Sequence, residues 1–97
     1  MRISDFLSAG QQNAISLRRL TAITGERLRI VRRMIEAERK RGVPILSNNV
    51  SGYYLPATED ERKRFVRSMR GRAMEIWKTA SAVEQADGLE QEIVEGW

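Results

Sequence analysis

The stretch GVPILSNNVSGYYLP, residues 42–56, has the pattern of two short strands on either side of a polar turn. Side chains alternate in character through residues 45–47 and again through residues 53–55, which is the period of a half-buried strand. Between them lie asparagine, serine and glycine, residues that tolerate positive φ angles and bond to their own backbone. The pattern therefore predicts a β-hairpin. A hairpin of two strands is only marginally stable by itself, so this one needs a third strand or a helical floor.

The residues before the hairpin offer both kinds of support. ISDFLSAG, residues 3–10, predicts a short helix with Ser4 as its N-cap and Gly10 as its end. The next segment, NAIS at residues 13–16, is polar apart from the small apolar step Ala14–Ile15, which predicts a minimal third strand.

Two amphipathic helices follow in the sequence. Ser16 is a suitable N-cap for LRRLTAI, residues 17–23, and Gly25 interrupts the apolar periodicity. Periodicity resumes at Leu28 and continues to about Arg41, with a glycine just beyond. A short helix, a glycine turn and a longer helix are a candidate helix-turn-helix.

With the hairpin added, residues 13–56 resemble winged helix-turn-helix DNA-binding domains. Similar forms are the amino-terminal domain of the bacterial biotin repressor and small phage or prophage DNA-binding proteins. The matching features are NAIS before the first helix, TG at the turn, Arg29-x-Val31-Arg32-x-x-Ile35 in the second helix, and GVPI…GYYL in the hairpin. The resemblance covers about half of the chain. It implies a mainly α fold with a small antiparallel sheet, in which residues 44–55 form the wing and the second helix reads DNA.

The second helix of this motif, about residues 28–41, has an apolar side and a basic side. At 100° per residue the apolar side is centred on Val31 and includes Leu28, Met34 and Ile35. Basic residues lie on the opposite side, namely Arg29, Arg33 and Lys40, and Arg32 lies on the flank. An arginine forms two parallel bonds with a guanine edge or a phosphate. We therefore expect Arg29, Arg32 and Arg33 to contact DNA bases.

Other basic residues are placed to contact the DNA backbone. Arg18 and Arg19 begin the first helix, where the positive helix end also suits a phosphate. Arg27 stands where the family pattern has a serine-like N-cap, so either the helix starts raggedly or Arg27 meets a phosphate. Lys40 is a further expected phosphate contact. The tip of the wing carries no lysine or arginine, and its expected DNA contacts are Asn48, Asn49 and Ser51.

A long C-terminal helix is predicted over residues 58–86, beginning with the capping box Thr58-x-x-Glu61. It carries an apolar stripe that predicts a dimer or partner interface, consisting of Met69, Ile76, Trp77, Ala80 and Val83. The helix either stays straight or bends at Gly71 and folds back, leaving a monomer. We thus divide the chain into a winged helix-turn-helix domain at 1–57, the helix at 58–86, and an acidic, frayed tail at 87–97.

The charge distribution supports a polyanionic partner. The net charge is +4, but residues 84–97 carry five acids and no lysine or arginine, which leaves 17 basic and 8 acidic residues elsewhere. The expected partner is double-stranded DNA, bound by a transcriptional regulator or a phage-like replication factor that is a homodimer. The alternative is a protein–protein adaptor that does not read DNA.

Several function classes are disfavoured by composition. There is no cysteine and no histidine, which removes thiolate chemistry, serine–histidine mechanisms and the usual zinc ligands. We expect no enzyme activity, metal, cofactor or small-molecule effector. Neither a signal peptide nor a membrane span is visible, so the expected location is the cytoplasm of a bacterial or phage-infected cell, on the nucleoid when bound to DNA.

Overall fold

Three α-helices and a small two-stranded antiparallel sheet make up the fold, in a computed structural model that describes residues 1–87. Two 3-10 helices come first, and the order is Ile3–Phe6, Gln11–Asn13, α1 (Leu17–Thr24), α2 (Leu28–Lys40), β1 (Leu46–Asn48), β2 (Gly52–Tyr54) and α3 (Glu59–Glu84). The prediction of a mainly α chain with a small antiparallel sheet is confirmed. The chain divides into two compact units, Met1–Val66 and a second that begins at Arg67.

Both helices of the predicted helix-turn-helix begin at the expected residues, and each ends within one residue of the expected limit. The Ser16 hydroxyl accepts the Arg19 backbone N–H at 3.1 Å, which confirms the N-cap of α1. Gly25 ends α1 with φ of 74°, a left-handed conformation that glycine adopts without strain. Arg27 occupies the N-cap position of α2 without a side-chain capping bond. Its carbonyl accepts the Val31 N–H at 3.0 Å, so the helix begins cleanly and is not ragged.

The inner side of α2 contributes to a core of buried aliphatic residues. Val31 and Ile35 are buried there together with residues from the other elements of the first unit, which are Ile3, Leu7, Leu20 and Ile45. Leu28 was expected on the same side, but it is 49% exposed. The reason is its position as the first residue of α2, at the edge of the apolar side about 60° from Val31.

A buried carboxylate on α2 holds the N-terminal segment. Glu38 is 2% exposed, and it accepts the backbone N–H groups of Ile3 at 2.6 Å and Ser4 at 3.1 Å. Those groups belong to the first turn of a helix, where no intrahelical acceptor exists. The prediction for this segment was wrong in detail: the helix is a 3-10 turn that ends at Phe6 rather than Gly10, and Ser4 lies inside it.

The hairpin pairs with the N-terminal segment at two places. Ile15 forms a single antiparallel bridge with Tyr53, through N–H···O bonds of 2.9 and 2.8 Å. The predicted third strand is therefore present as one residue pair. Two residues further on, the Leu55 N–H donates to the Ser8 carbonyl at 2.9 Å and the Leu55 carbonyl accepts the Gly10 N–H at 2.8 Å. These bonds extend the small sheet beyond its own two strands.

The first turn of α3 is capped in a modified form of the predicted capping box. The Thr58 hydroxyl accepts the Glu61 N–H at 3.2 Å. The Glu61 carboxylate accepts the N–H of Ala57 at 2.7 Å and that of Gln11 at 3.0 Å. These two backbone donors, with Ala57 the stronger, lower the pKa of Glu61 from its ordinary value.

The rest of α3 is helical without interruption at Gly71. The predicted acidic tail, residues 87–97, lies outside the described residues except for Asp87. In residues 1–87 no helix combines the length and the apolar character needed to cross a membrane.

Gly52 is the glycine that the hairpin most depends on. Its φ is 104°, and an added Cβ would collide with the Ile15 carbonyl group. Gly42 has a similar φ of 96° with open space around it, so Gly42→Ala should cost only the backbone strain of about 1–3 kcal/mol. We expect Gly52→Ala to lower the free energy of unfolding by at least about 1 kcal/mol more, measured by urea denaturation. Equal losses in the two variants would contradict the close approach at Ile15.

Removal of the buried carboxylate provides a second test of the fold. Glu38→Ala leaves two backbone N–H groups without their acceptor and should lower the free energy of unfolding by about 2–4 kcal/mol. Glu36→Ala is the matched control on the same helix, because its exposed pair with Lys40 at 3.9 Å is worth less than about 0.5 kcal/mol. Urea denaturation measures both. Similar small losses would show that Glu38 does not anchor the N-terminal segment.

Candidate nucleic-acid interface

The first two turns of α2 present three arginines to solvent. Arg29, Arg32 and Arg33 are exposed, and their side chains make no hydrogen bond or ion pair with any residue in the part of the chain that the structure describes. Their orientation follows from the opposite side of the helix, where Val31 and Ile35 are anchored in the core. The guanidinium groups therefore remain available as donors to a ligand.

The next turn of the outer side is mixed in charge. Glu36 lies there and its carboxylate is 3.9 Å from the Lys40 ammonium group. Both side chains are largely exposed, so the ion pair is weak. A phosphate can therefore replace Glu36 as the partner of Lys40. Lys40 is thus a less available phosphate donor than the arginines that precede it.

The other predicted backbone contacts lie at the starts of the two helices. Arg18 and Arg19 are exposed in the first turn of α1, and Arg27 is exposed immediately before α2. The Arg19 backbone N–H is already bonded to Ser16, so an anion at this helix end would be held mainly by side chains. With Arg27 free of any capping role, its guanidinium group is open to a phosphate.

The tip of the hairpin offers a ligand fewer polar groups than the sequence suggested, because some of them are bonded within the fold. The Asn48 side-chain oxygen accepts the N–H groups of Val50 at 3.0 Å and Ser51 at 2.6 Å, which closes the turn. The Ser51 hydroxyl accepts a bond from the Gln11 side chain at 3.3 Å. Asn49 is exposed, and Val50, which was not predicted as a site residue, is 94% exposed. Two of the three expected contacts therefore already have a structural role.

One basic residue of α2 serves the fold instead of the outer surface. Arg39 donates from Nε to the Ile45 carbonyl at 2.7 Å and from Nη2 to the Ser47 hydroxyl at 3.1 Å. Its guanidinium carbon lies 5.0 Å from the ring centre of Phe65 and 6.0 Å from that of Tyr53. Sequence reasoning did not single out Arg39. Its helical position, about 80° from Val31 and close to the apolar side, was the available signal.

The first two turns of α2 expose three cations and contain no neutralising acid. Such a surface raises the local concentration of a polyanion, and its planar arginine donors suit guanine edges and phosphates. Comparisons of the chain with protein-family models, with curated proteins and with solved structures each give no match.

Proposed function

We propose that this chain binds double-stranded DNA as a winged helix-turn-helix protein, with α2 as the recognition helix in the major groove. The proposal rests on three arginines of α2, Arg29, Arg32 and Arg33. They are exposed on the side of the helix away from the core, and their side chains have no bonding partner in residues 1–87. In this arrangement residues 1–57 form the DNA-binding domain and residues 44–55 form its wing.

The dimensions and chemistry of α2 suit base recognition. The major groove is about 12 Å wide and admits one α-helix. The arginines lie in the first two turns of α2, and the amino-terminal residues of a recognition helix are those that contact base edges. A planar guanidinium group donates two bonds to guanine O6 and N7, which is the commonest specific contact to DNA.

The remaining cations position the protein on the duplex. Arg18, Arg19, Arg27 and Lys40 contact phosphates in this proposal, and such contacts fix register without reading sequence. At the wing tip, Asn49 and the amide nitrogen of Asn48 are the remaining polar groups, and Ser51 adds a weaker contact. The process served is transcriptional control or a phage-like replication complex.

A salt titration distinguishes DNA binding from a protein–protein adaptor. Neutralised phosphates release counterions, so log K should fall with log salt at about 0.9 per contact, for a slope of about −4 to −7. The measurement is fluorescence anisotropy of a labelled duplex between low and moderate salt. An adaptor that does not read DNA would show no measurable duplex binding even at low salt, and that result would overturn the proposal.

Single substitutions separate base reading from phosphate contact. After selection of bound sequences from a random duplex pool, Arg29→Ala or Arg33→Ala should cost about 1–3 kcal/mol at one base position and relax the preference there. Arg18→Ala should weaken binding to all sequences alike. Lys78→Ala is the charge-matched control, because Lys78 lies in the second unit and pairs with Glu75 at 3.5 Å. If Arg29→Ala and Arg33→Ala lose the same binding free energy on every sequence, α2 contacts phosphates and does not read bases.

A further inference from the structure

The second unit exposes an apolar stripe on α3 that has a regular spacing. Met69, Ile76 and Val83 are 40%, 71% and 65% exposed, and Ala73 and Ala80, which lie between them, are exposed as well. Successive members are four and three residues apart. This alternation averages 3.5 residues, the spacing that keeps one side of a helix against a partner helix in a coiled coil.

We propose that this stripe binds the same stripe of a second copy of the chain, with the two helices antiparallel. The inference concerns an interaction surface that DNA binding does not require, and it stands independently of the proposed function. It makes specific the dimer or partner interface that the sequence predicted, and it adds Ala73 to that set.

The sizes of the side chains favour the antiparallel orientation. The stripe has two rows, a small one of Ala73 and Ala80 and a large one of Met69, Ile76 and Val83. In a parallel pair each row faces itself, so layers with two alanines alternate with layers of two large side chains and leave voids. In an antiparallel pair the small row faces the large row. The register that places Met69 opposite Ala80 also places Ala73 opposite Ile76, and every layer then has a similar volume.

The charges of the segment favour the same orientation. Residues 67–72 contain three arginines and no acid, whereas residues 75–87 contain three acids and one lysine. A parallel pair would place the arginine-rich ends side by side, where like charges repel. An antiparallel pair places the basic end of each copy beside the acidic end of the other. The second copy is thus complementary to the first in both packing and charge.

One flank of the stripe repeats this complementarity. Arg70, Trp77 and Glu84 are seven residues apart and therefore lie along one edge of the stripe. When two copies run in opposite directions, this edge faces itself reversed, and in the register above Arg70 of each copy lies within about two residues, or 3 Å along the axis, of Trp77 of the other, where a guanidinium group can pack on the indole ring. Trp77 is 67% exposed in the single chain, and the contact would cover it.

Two lysine substitutions test whether the stripe is the interface. Ile76 and Met74 are both exposed on α3, at 71% and 53%, but only Ile76 lies in the stripe. Sedimentation equilibrium without DNA should show a wild-type dimer whose dissociation constant rises at least about 100-fold in Ile76→Lys, because an ammonium group would be buried. Met74→Lys should change it by less than about 3-fold. A monomeric wild type, or equal effects of both substitutions, would overturn the proposal.

Single cysteines test the orientation, since the natural chain has none. In the antiparallel register Met69 faces Ala80, and two copies of position 80 are separated by eleven residues, or about 16 Å along the axis. Under mild oxidation Met69→Cys and Ala80→Cys should therefore each remain uncrosslinked alone and form a disulfide dimer when mixed. Crosslinking of each variant alone would show a parallel pair and overturn the orientation.

The two proposals fail separately. A monomeric chain that retains the expected salt dependence of duplex binding would contradict only the dimer. A crosslinked antiparallel dimer that binds no duplex would contradict only the proposed function.

Discussion

The fold depends on how the buried carboxylate of Glu38 holds the N-terminal segment. Glu38 accepts two backbone N–H groups from residues 3 and 4, and the segment that follows pairs with Leu55 and then with Tyr53. Its Gln11 N–H also bonds to Glu61 at the start of α3. A buried polar group is tolerated only when its hydrogen bonds are satisfied, and here these bonds connect α2 to the N-terminal segment. The N-terminal segment thus connects α2, the hairpin and the start of α3 through hydrogen bonds.

The arginines of α2 have two different surroundings, because one side of the helix is anchored in the core. The inner side of the helix is fixed by Val31, Ile35 and Glu38, so Arg29 and its neighbours are held on the outer side by a rigid support. A fixed backbone matters because only the side chains then lose conformational freedom on binding. Arg39, one turn beyond Ile35, bonds instead to the hairpin backbone and lies over two aromatic rings. The same residue type thus supports the fold at one end of α2 and, in the proposed function, contacts DNA at the other.

The proposed DNA contacts and the proposed dimer contacts lie in different units of the chain. The arginines belong to Met1–Val66, and the apolar stripe lies beyond Arg67. Dimerisation is commonly coupled to DNA recognition because two copies of a reading helix contact two half-sites. In such an assembly the basic surface supplies attraction to the phosphates, and the stripe supplies association between copies. The side chains exposed on each surface suit the role proposed for it, with cations on one and aliphatic side chains on the other.

The sequence by itself determined the features that follow from local chemistry. Ser16, Gly25 and the period of α2 set the two helices, and the alternation around residues 45–55 set the hairpin. These are short-range effects, since caps, glycine conformations and amphipathic periods act within a few residues. Only the tertiary structure decided the burial of Glu38, the structural role of Arg39 and the exposure of Leu28. Each of these depends on which distant segment covers a given side of a helix, and a periodic pattern carries no information about that partner.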